Sequence, residues 1–149
     1  MIQYWNYLNE YKIEKKNFLY TVNKVFNSGT LLFGDELKKF EKNYCKFNKS
    51  KFGLGVANGT DALFIALKCL NIGKDDEVIT VSNTAIPTVS AIINTGAKVK
   101  FVDIGQDFLI DAEKIKNLIT KKTKAIVVVH LFGQMCDMDK ILKLSLIHI

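Results

Sequence analysis

Asn58-Gly59-Thr60 gathers three chemical assets in one turn of the stretch GVANGTDALFIAL, residues 55 to 67. A helix-like apolar run begins directly behind it. Its backbone N–H groups therefore stand at a helix start, where unpaired donors and the helix dipole favour an anion. Gly59 allows close approach to the backbone and unusual φ values, and Thr60 adds a hydroxyl donor. These are the parts of a phosphate cup. Asp61 speaks against it, since a carboxylate in the first turn repels a phosphate unless it points away. The plain alternative is an ordinary capped helix, with Asn58 or Thr60 as cap. On the triplet alone that alternative is favoured.

A second group is Asn83-Thr84-Ala85, just ahead of the single proline, Pro87. Pro is accepted in the first turn of a helix, where N–H groups lack intrahelical partners. Thr84 is the expected N-cap. This marks residues 82 to 87 as a strand-to-helix junction at a strand's carboxyl end, where open α/β sheets bind ligands. His130 closes an apolar strand and is expected to be a hydrogen-bonded core residue. Asp103 and Asp107, near another strand end, are expected to cap rather than to act on a ligand. Neither GxGxxG nor GxxxxGK[ST] is present, which excludes the dinucleotide fingerprint and the P-loop. No metal cluster and no Ser/His/Asp nucleophile set is found.

The elements that must position these groups follow from periodicity. Helical spacing covers 13–27, ended by Ser28-Gly29 as a C-cap would end it, and then 35–47. GTLLFGDE lies between them. Further helices are expected at about 60–70, 85–94 and 111–120, with a last one starting near Asp137. Strands are expected at 77–82, 98–104 and 125–132. Strands alternating with helices build right-handed βαβ units on a parallel sheet, and Val/Ile-rich strands fit a sheet covered on both faces.

The 48% apolar content marks a globular chain. No apolar run reaches the length of a membrane span. The start, MIQYWNYLNEYKIEKK, lacks a basic stretch followed by an apolar block, so no signal peptide is expected and the location is read as cytoplasmic. The net charge is +6, but every basic residue is Lys. Without Arg and without a basic face, nucleic-acid binding is excluded. Cys45, Cys69 and Cys136 have no zinc or CxxC spacing and are expected to be reduced, mostly buried thiols.

Taken together, GTLLFGDELKKFE (29–41), VANGTDAL (56–63), DDEVITVSNTAIPTVSAI (75–92), INTGAKVKFVDI (93–104) and TKAIVVVHLFGQMCDMDKI (123–141) resemble the DegT/DnrJ-type sugar aminotransferases, in order and in spacing. The resemblance runs to about Leu144. It implies the aspartate-aminotransferase-like large domain of pyridoxal 5'-phosphate (PLP) enzymes, an α/β fold with a mostly parallel sheet flanked by helices. It implies PLP as cofactor and homodimers with sites at the subunit interface. It also implies amino transfer from glutamate to a nucleotide-linked keto-sugar. The wording NTAIPTVSAI is most like the branch acting on dTDP-3-keto-6-deoxyhexoses. By the same resemblance, Asn58, Gly59 and Thr60 hold the PLP phosphate, and Asn83, Thr84 and Ala85 lie against the PLP ring. Leu32, Phe33 and Gly34 lie near the substrate entrance. Many members carry an aromatic residue where this chain has Ala85, which puts side-chain stacking on the ring in doubt.

The resemblance also implies what is not here. PLP chemistry needs a Schiff-base lysine and a carboxylate beside the pyridine nitrogen. In the family both follow the helix that begins at Asp137, and no Lys of this chain sits in the matching motif. The domain reading is a helical segment at 1–52, the first part of a PLP-binding large domain at 53–144, and a foreign or frame-shifted tail at 145–149. The small C-terminal domain is absent. The chain is therefore expected to be truncated and inactive as written, with an exposed apolar sheet edge. Two other readings stay open. Relatives with His in place of the lysine dehydrate sugars, and a non-catalytic α/β fragment would ignore PLP.

Overall fold

Five consecutive residues, Glu77–Val81, are all buried. This is β1, the middle strand of a three-stranded sheet of order β2-β1-β3, with β2 at Lys98–Val102 and β3 at Thr123–Ile126. Both neighbours run parallel to it. A computed structural model describes residues 5–147, with side chains given through Leu144. The tail expected at 145–149 therefore has no described side chains, and His148 and Ile149 lie outside the described residues.

Successive strand side chains point to opposite faces, so β1 feeds two cores. Val78 joins Leu67, Ile72, Ile92 and Ala97 on one face. Ile79 and Val81 join Val102, Leu109, Ile115 and Ile141 on the other. The first face is covered by α3 (Gly59–Cys69) and α4 (Ile86–Asn94), and the second by α5 (Ala112–Ile115) and α6 (Met138–Ile147). The expected parallel sheet with helices on both faces is what the chain forms. Only β1 is buried along its whole length, because β2 and β3 are the edges of this sheet. A groove beside β3 and α6 is lined by Ile119, Ile126, Val128, Met138 and Ile141.

Some boundaries move. The third strand pairs at 123–126 rather than 125–132. A register shift between Glu77 and Val78 leaves Lys124 unpaired in the ladder. Beyond Ile126 two bonds still hold the chain to β1: Val127 N–H donates to the Ile79 carbonyl at 2.8 Å, and Thr80 Oγ1 donates to the Val127 carbonyl at 2.9 Å. The helix expected at 111–120 stops at Ile115 and tightens into a 3-10 turn, Lys116–Leu118. Asn117 and the β-branched pair Ile119-Thr120 propagate a helix poorly. Of the three free cysteines only Cys136 is buried; Cys69, on the last turn of α3, is exposed.

The chain divides into two compact units, one ending at Gly55 and one beginning at Val56. The first holds α1 (Tyr7–Asn27) and α2 (Asp35–Asn48). Helix α1 starts six residues earlier than expected, because the Asn6 side chain accepts from Asn9 N–H at 3.1 Å and caps it. It ends at Asn27 with Ser28 as C-cap, and Gly29 follows with φ +69°. Lys24 Nζ meets Glu36 Oε1 at 2.8 Å and Lys39 Nζ meets the same oxygen at 3.0 Å. Hydrogen bonds from both lysines hold Glu36 below its ordinary pKa. At this exposure such pairs add little stability.

Glu77 matters more for acid stability. Thr120 Oγ1 donates to its Oε2 at 2.7 Å, and Lys100 Nζ lies 3.8 Å from Oε1. The Thr120 hydroxyl is the main cause that lowers its pKa, against an opposing push from burial, with Lys100, Lys98 and Lys122 assisting. A carboxylate whose folded pKa is depressed stabilises the fold above its unfolded pKa. That contribution is lost as pH falls through the folded pKa. Replacing Glu77 by Gln should therefore flatten the acid limb of a melting-temperature profile. An acid limb identical to that of the parent chain would show that Glu77 does not supply it.

Candidate functional site

Helix α3 enters β1 through the short segment 70–76, and β1 enters α4 through 82–85. Both helices therefore run back along the strand. Their N-termini both sit at the carboxyl edge of the sheet, the edge where open α/β sheets bind ligands. The chain thus brings Asn58, Gly59 and Thr60 to the same edge as Asn83, Thr84 and Ala85. The loops after β2 and β3 open onto that edge too. Asn83 Nδ2 donates to the carbonyl of Phe108, in the loop after β2, at 3.4 Å.

Asn58 is the N-cap of α3 and accepts from Asp61 N–H at 2.9 Å. Its Nδ2 donates to Asp61 Oδ2 at 3.0 Å. The carboxylate that argued against an anion is thereby folded onto its own cap. Capping and anion binding are then not rivals: Asn58 serves the Asp61 N–H, while the Gly59 and Thr60 N–H groups have no partner among the described residues. The Thr60 hydroxyl is also unpartnered among them. A Cβ built on Gly59 meets nothing within 4 Å. Its φ is not in the left-handed region, so the unusual φ that glycine permits is not used here. What glycine leaves here is open space above two free donors.

Thr84 is not the cap of α4. Ala85 is, with extended backbone and no side-chain hydrogen bond. An N-cap side chain serves the second or third N–H of a helix. Here Pro87 has none, and Thr88 N–H already bonds the Ala85 carbonyl at 3.0 Å. Thr84 lies one residue outside that helix start, and its Oγ1 donates to Thr88 Oγ1 at 2.8 Å. Ala85 is exposed and offers only a methyl group.

Leu32, Phe33 and Gly34 belong to the unit that ends at Gly55. Leu32 and Phe33 are exposed, Phe33 at φ +54°, and Gly34 caps α2. Asp103 and Asp107 take local roles. Asp107 Oδ1 accepts from Leu109 N–H at 3.1 Å, and Asp103 Oδ1 from Ile104 N–H at 3.2 Å. His130 is hydrogen-bonded but exposed, which corrects the core expectation. The Gly133 turn signal behind it marks a loop, and a residue at the mouth of that loop reaches solvent. Among the described residues no group of three metal-ligating side chains forms, and no helix is long and apolar enough to cross a membrane.

Residues 12–148 match the sequence profile of the DegT/DnrJ/EryC1/StrS aminotransferase family. The chain is similar to a dTDP-3-amino-3,4,6-trideoxy-alpha-D-glucose transaminase of Micromonospora megalomicea subsp. nigra. The two are 45% identical over 142 residues, covering 95% of this chain and 38% of that protein. It is 40% identical to the spore coat polysaccharide biosynthesis protein SpsC of Bacillus subtilis (strain 168), covering 99% of this chain and 39% of that one. Among solved structures it superposes on S. venezuelae DesV, determined in complex with a ketimine intermediate. There the TM-score is 0.95 at 32% identity, over 99% of this chain and 40% of that one. It also superposes on a Bacillus subtilis structure with bound cofactor PMP, with TM-score 0.88 at 34% identity, over 91% of this chain and 31% of that one. The chain spans about two fifths of the length of the curated relatives it matches.

Proposed function

The chain belongs to the DegT/DnrJ/EryC1/StrS aminotransferase family, and on that premise we propose that it forms the phosphate-holding part of a PLP-dependent sugar aminotransferase. The reaction moves an amino group from glutamate to a nucleotide-linked keto-sugar. The dTDP-linked 3-amino sugar named for the Micromonospora relative supports a dTDP-3-keto-6-deoxyhexose as the acceptor. The working form is a cytoplasmic homodimer.

One observation carries the reading. Gly59 and Thr60 present two unpaired N–H groups and a hydroxyl at the start of an eleven-residue helix, over open space. The nearest carboxylate is tied to Asn58. That donor set fits a phosphate monoester. Bound there, PLP supplies an electron sink for amino-group chemistry.

The chain's own residues do the rest. Gly59 and Thr60 grip the phosphate, and Asn58 keeps the Asp61 carboxylate off it. Asn83, Thr84 and Ala85, set by Pro87 and the Thr84–Thr88 bond, form the floor against the ring.

The test is thermal melting of the 149-residue chain with PLP and, separately, with inorganic phosphate. A ligand that binds only the folded state raises stability, by about 2.7 kcal/mol at a hundred times its Kd. Both ligands should raise the melting temperature, PLP modestly in the absence of a covalent link. No shift with either would remove the phosphate reading.

A further inference from the structure

The loop after β3 is held more tightly than its exposure suggests. Cys136 N–H donates to His130 Nδ1 at 3.1 Å, and the buried Cys136 Sγ donates to the Val129 carbonyl at 3.2 Å. Gln134 N–H bonds the Leu131 carbonyl at 3.0 Å. Phe132 and Gly133 turn the chain back with φ of +53° and +79°. Upstream, Thr80 Oγ1 fastens Val127 to β1. His130 is thus fixed at the carboxyl edge of the sheet, one strand away from the Asn83–Ala85 loop.

The bond from Cys136 decides the chemistry of the ring. A neutral imidazole that accepts at Nδ1 carries its proton on Nε2. That Nε2–H has no partner among the described residues. The bond ties the loop together and leaves an exposed histidine with an oriented donor at Nε2. A ligand whose phosphate sits at Gly59 and Thr60 would present its acceptor oxygens along the same edge.

We propose that His130 is a binding residue for the cofactor ring, donating Nε2–H to the phenolic oxygen of PLP. This rests on the phosphate reading of Gly59 and Thr60. The phenolate is an anionic acceptor, and hydrogen bonds to charged groups are the stronger kind. His130 also supplies a polar contact at the edge where Ala85 supplies none.

The test uses the full 149-residue chain with two probes, PLP and inorganic phosphate. His130→Asn keeps an acceptor near the Nδ1 position for Cys136 N–H and removes the Nε2 donor. It should weaken PLP binding about tenfold, the scale of one lost hydrogen bond, and leave inorganic phosphate binding unchanged. His130→Gln, which can place an amide donor near the Nε2 position, should recover part of the loss. Wild-type affinity for PLP in His130→Asn, with phosphate still binding, overturns the role of His130. Failure of inorganic phosphate to bind the parent chain overturns the phosphate reading instead. Nitrogen NMR of the parent chain gives a readout that needs no variant. It should show the Nε2–H tautomer and a shift of that signal on adding PLP but not on adding phosphate. An Nδ1–H tautomer, or a signal indifferent to PLP, counts against the proposal.

Discussion

Gly59→Ala should leave the folded chain as stable as the parent, or up to about 1 kcal/mol more stable, while weakening phosphate and PLP binding by at least tenfold. The two halves of this result come from different facts. Gly59 is the first residue of α3, its φ is not left-handed, and a Cβ placed there touches nothing within 4 Å. Nothing in the folded chain therefore requires glycine. Ala is the better helix former by about 0.5–1 kcal/mol and restricts the unfolded chain as well. If the site were only a capped helix, the substitution would be neutral or favourable in every assay. An anion seated on the Gly59 and Thr60 N–H groups changes that, because the added methyl stands where phosphate oxygens approach the backbone. Melting with and without ligand, followed by calorimetric titration, separates the two effects. Binding equal to the parent's, together with an unchanged melting temperature, would mean that the helix start is a cap and nothing more.

The sequence carried the fold further than the site. Alternation of Val/Ile-rich runs with helical runs located all three strands, because β1 needs apolar residues on both faces and leaves a continuous signature. Strand β3 was misplaced at both ends. Its apolar residues continue to Phe132, yet the ladder stops at Ile126 and the later residues serve a loop. An apolar run reports burial or packing; it does not report which backbone groups find a partner. The same limit applies at Thr84. Thr shortly before Pro in a helix start suggests a cap, but the cap falls one residue later, at Ala85, and the Thr84 hydroxyl goes to Thr88 instead. At Asn58 the residues read as alternatives, cap or cup, because sequence does not show that the Asp61 carboxylate folds back onto Asn58. His130 was legible only as a lone histidine. The bond that orients its ring comes from a backbone N–H six residues on, and no spacing rule encodes that bond.

Ile92→Ala should be strongly destabilising, costing about 2–5 kcal/mol. Ile92 is fully buried, on the inner face of α4, and shares its cluster with Leu67 of α3 and Val78 of β1. Truncation removes three carbons from the one place where both site helices meet the sheet. The loss reaches the ligand because α3 and α4 carry the two loops at the carboxyl edge. If their shared anchor loosens, the Gly59–Thr60 donors and the Asn83–Ala85 floor no longer keep a fixed separation. A ligand that needs both, PLP, should then lose more affinity than inorganic phosphate, which needs only the α3 start. Denaturant unfolding measures the first effect, and paired titrations below the midpoint of the variant measure the second. Equal losses for the two ligands would show that α3 and α4 are anchored independently and that Ile92 acts on stability alone.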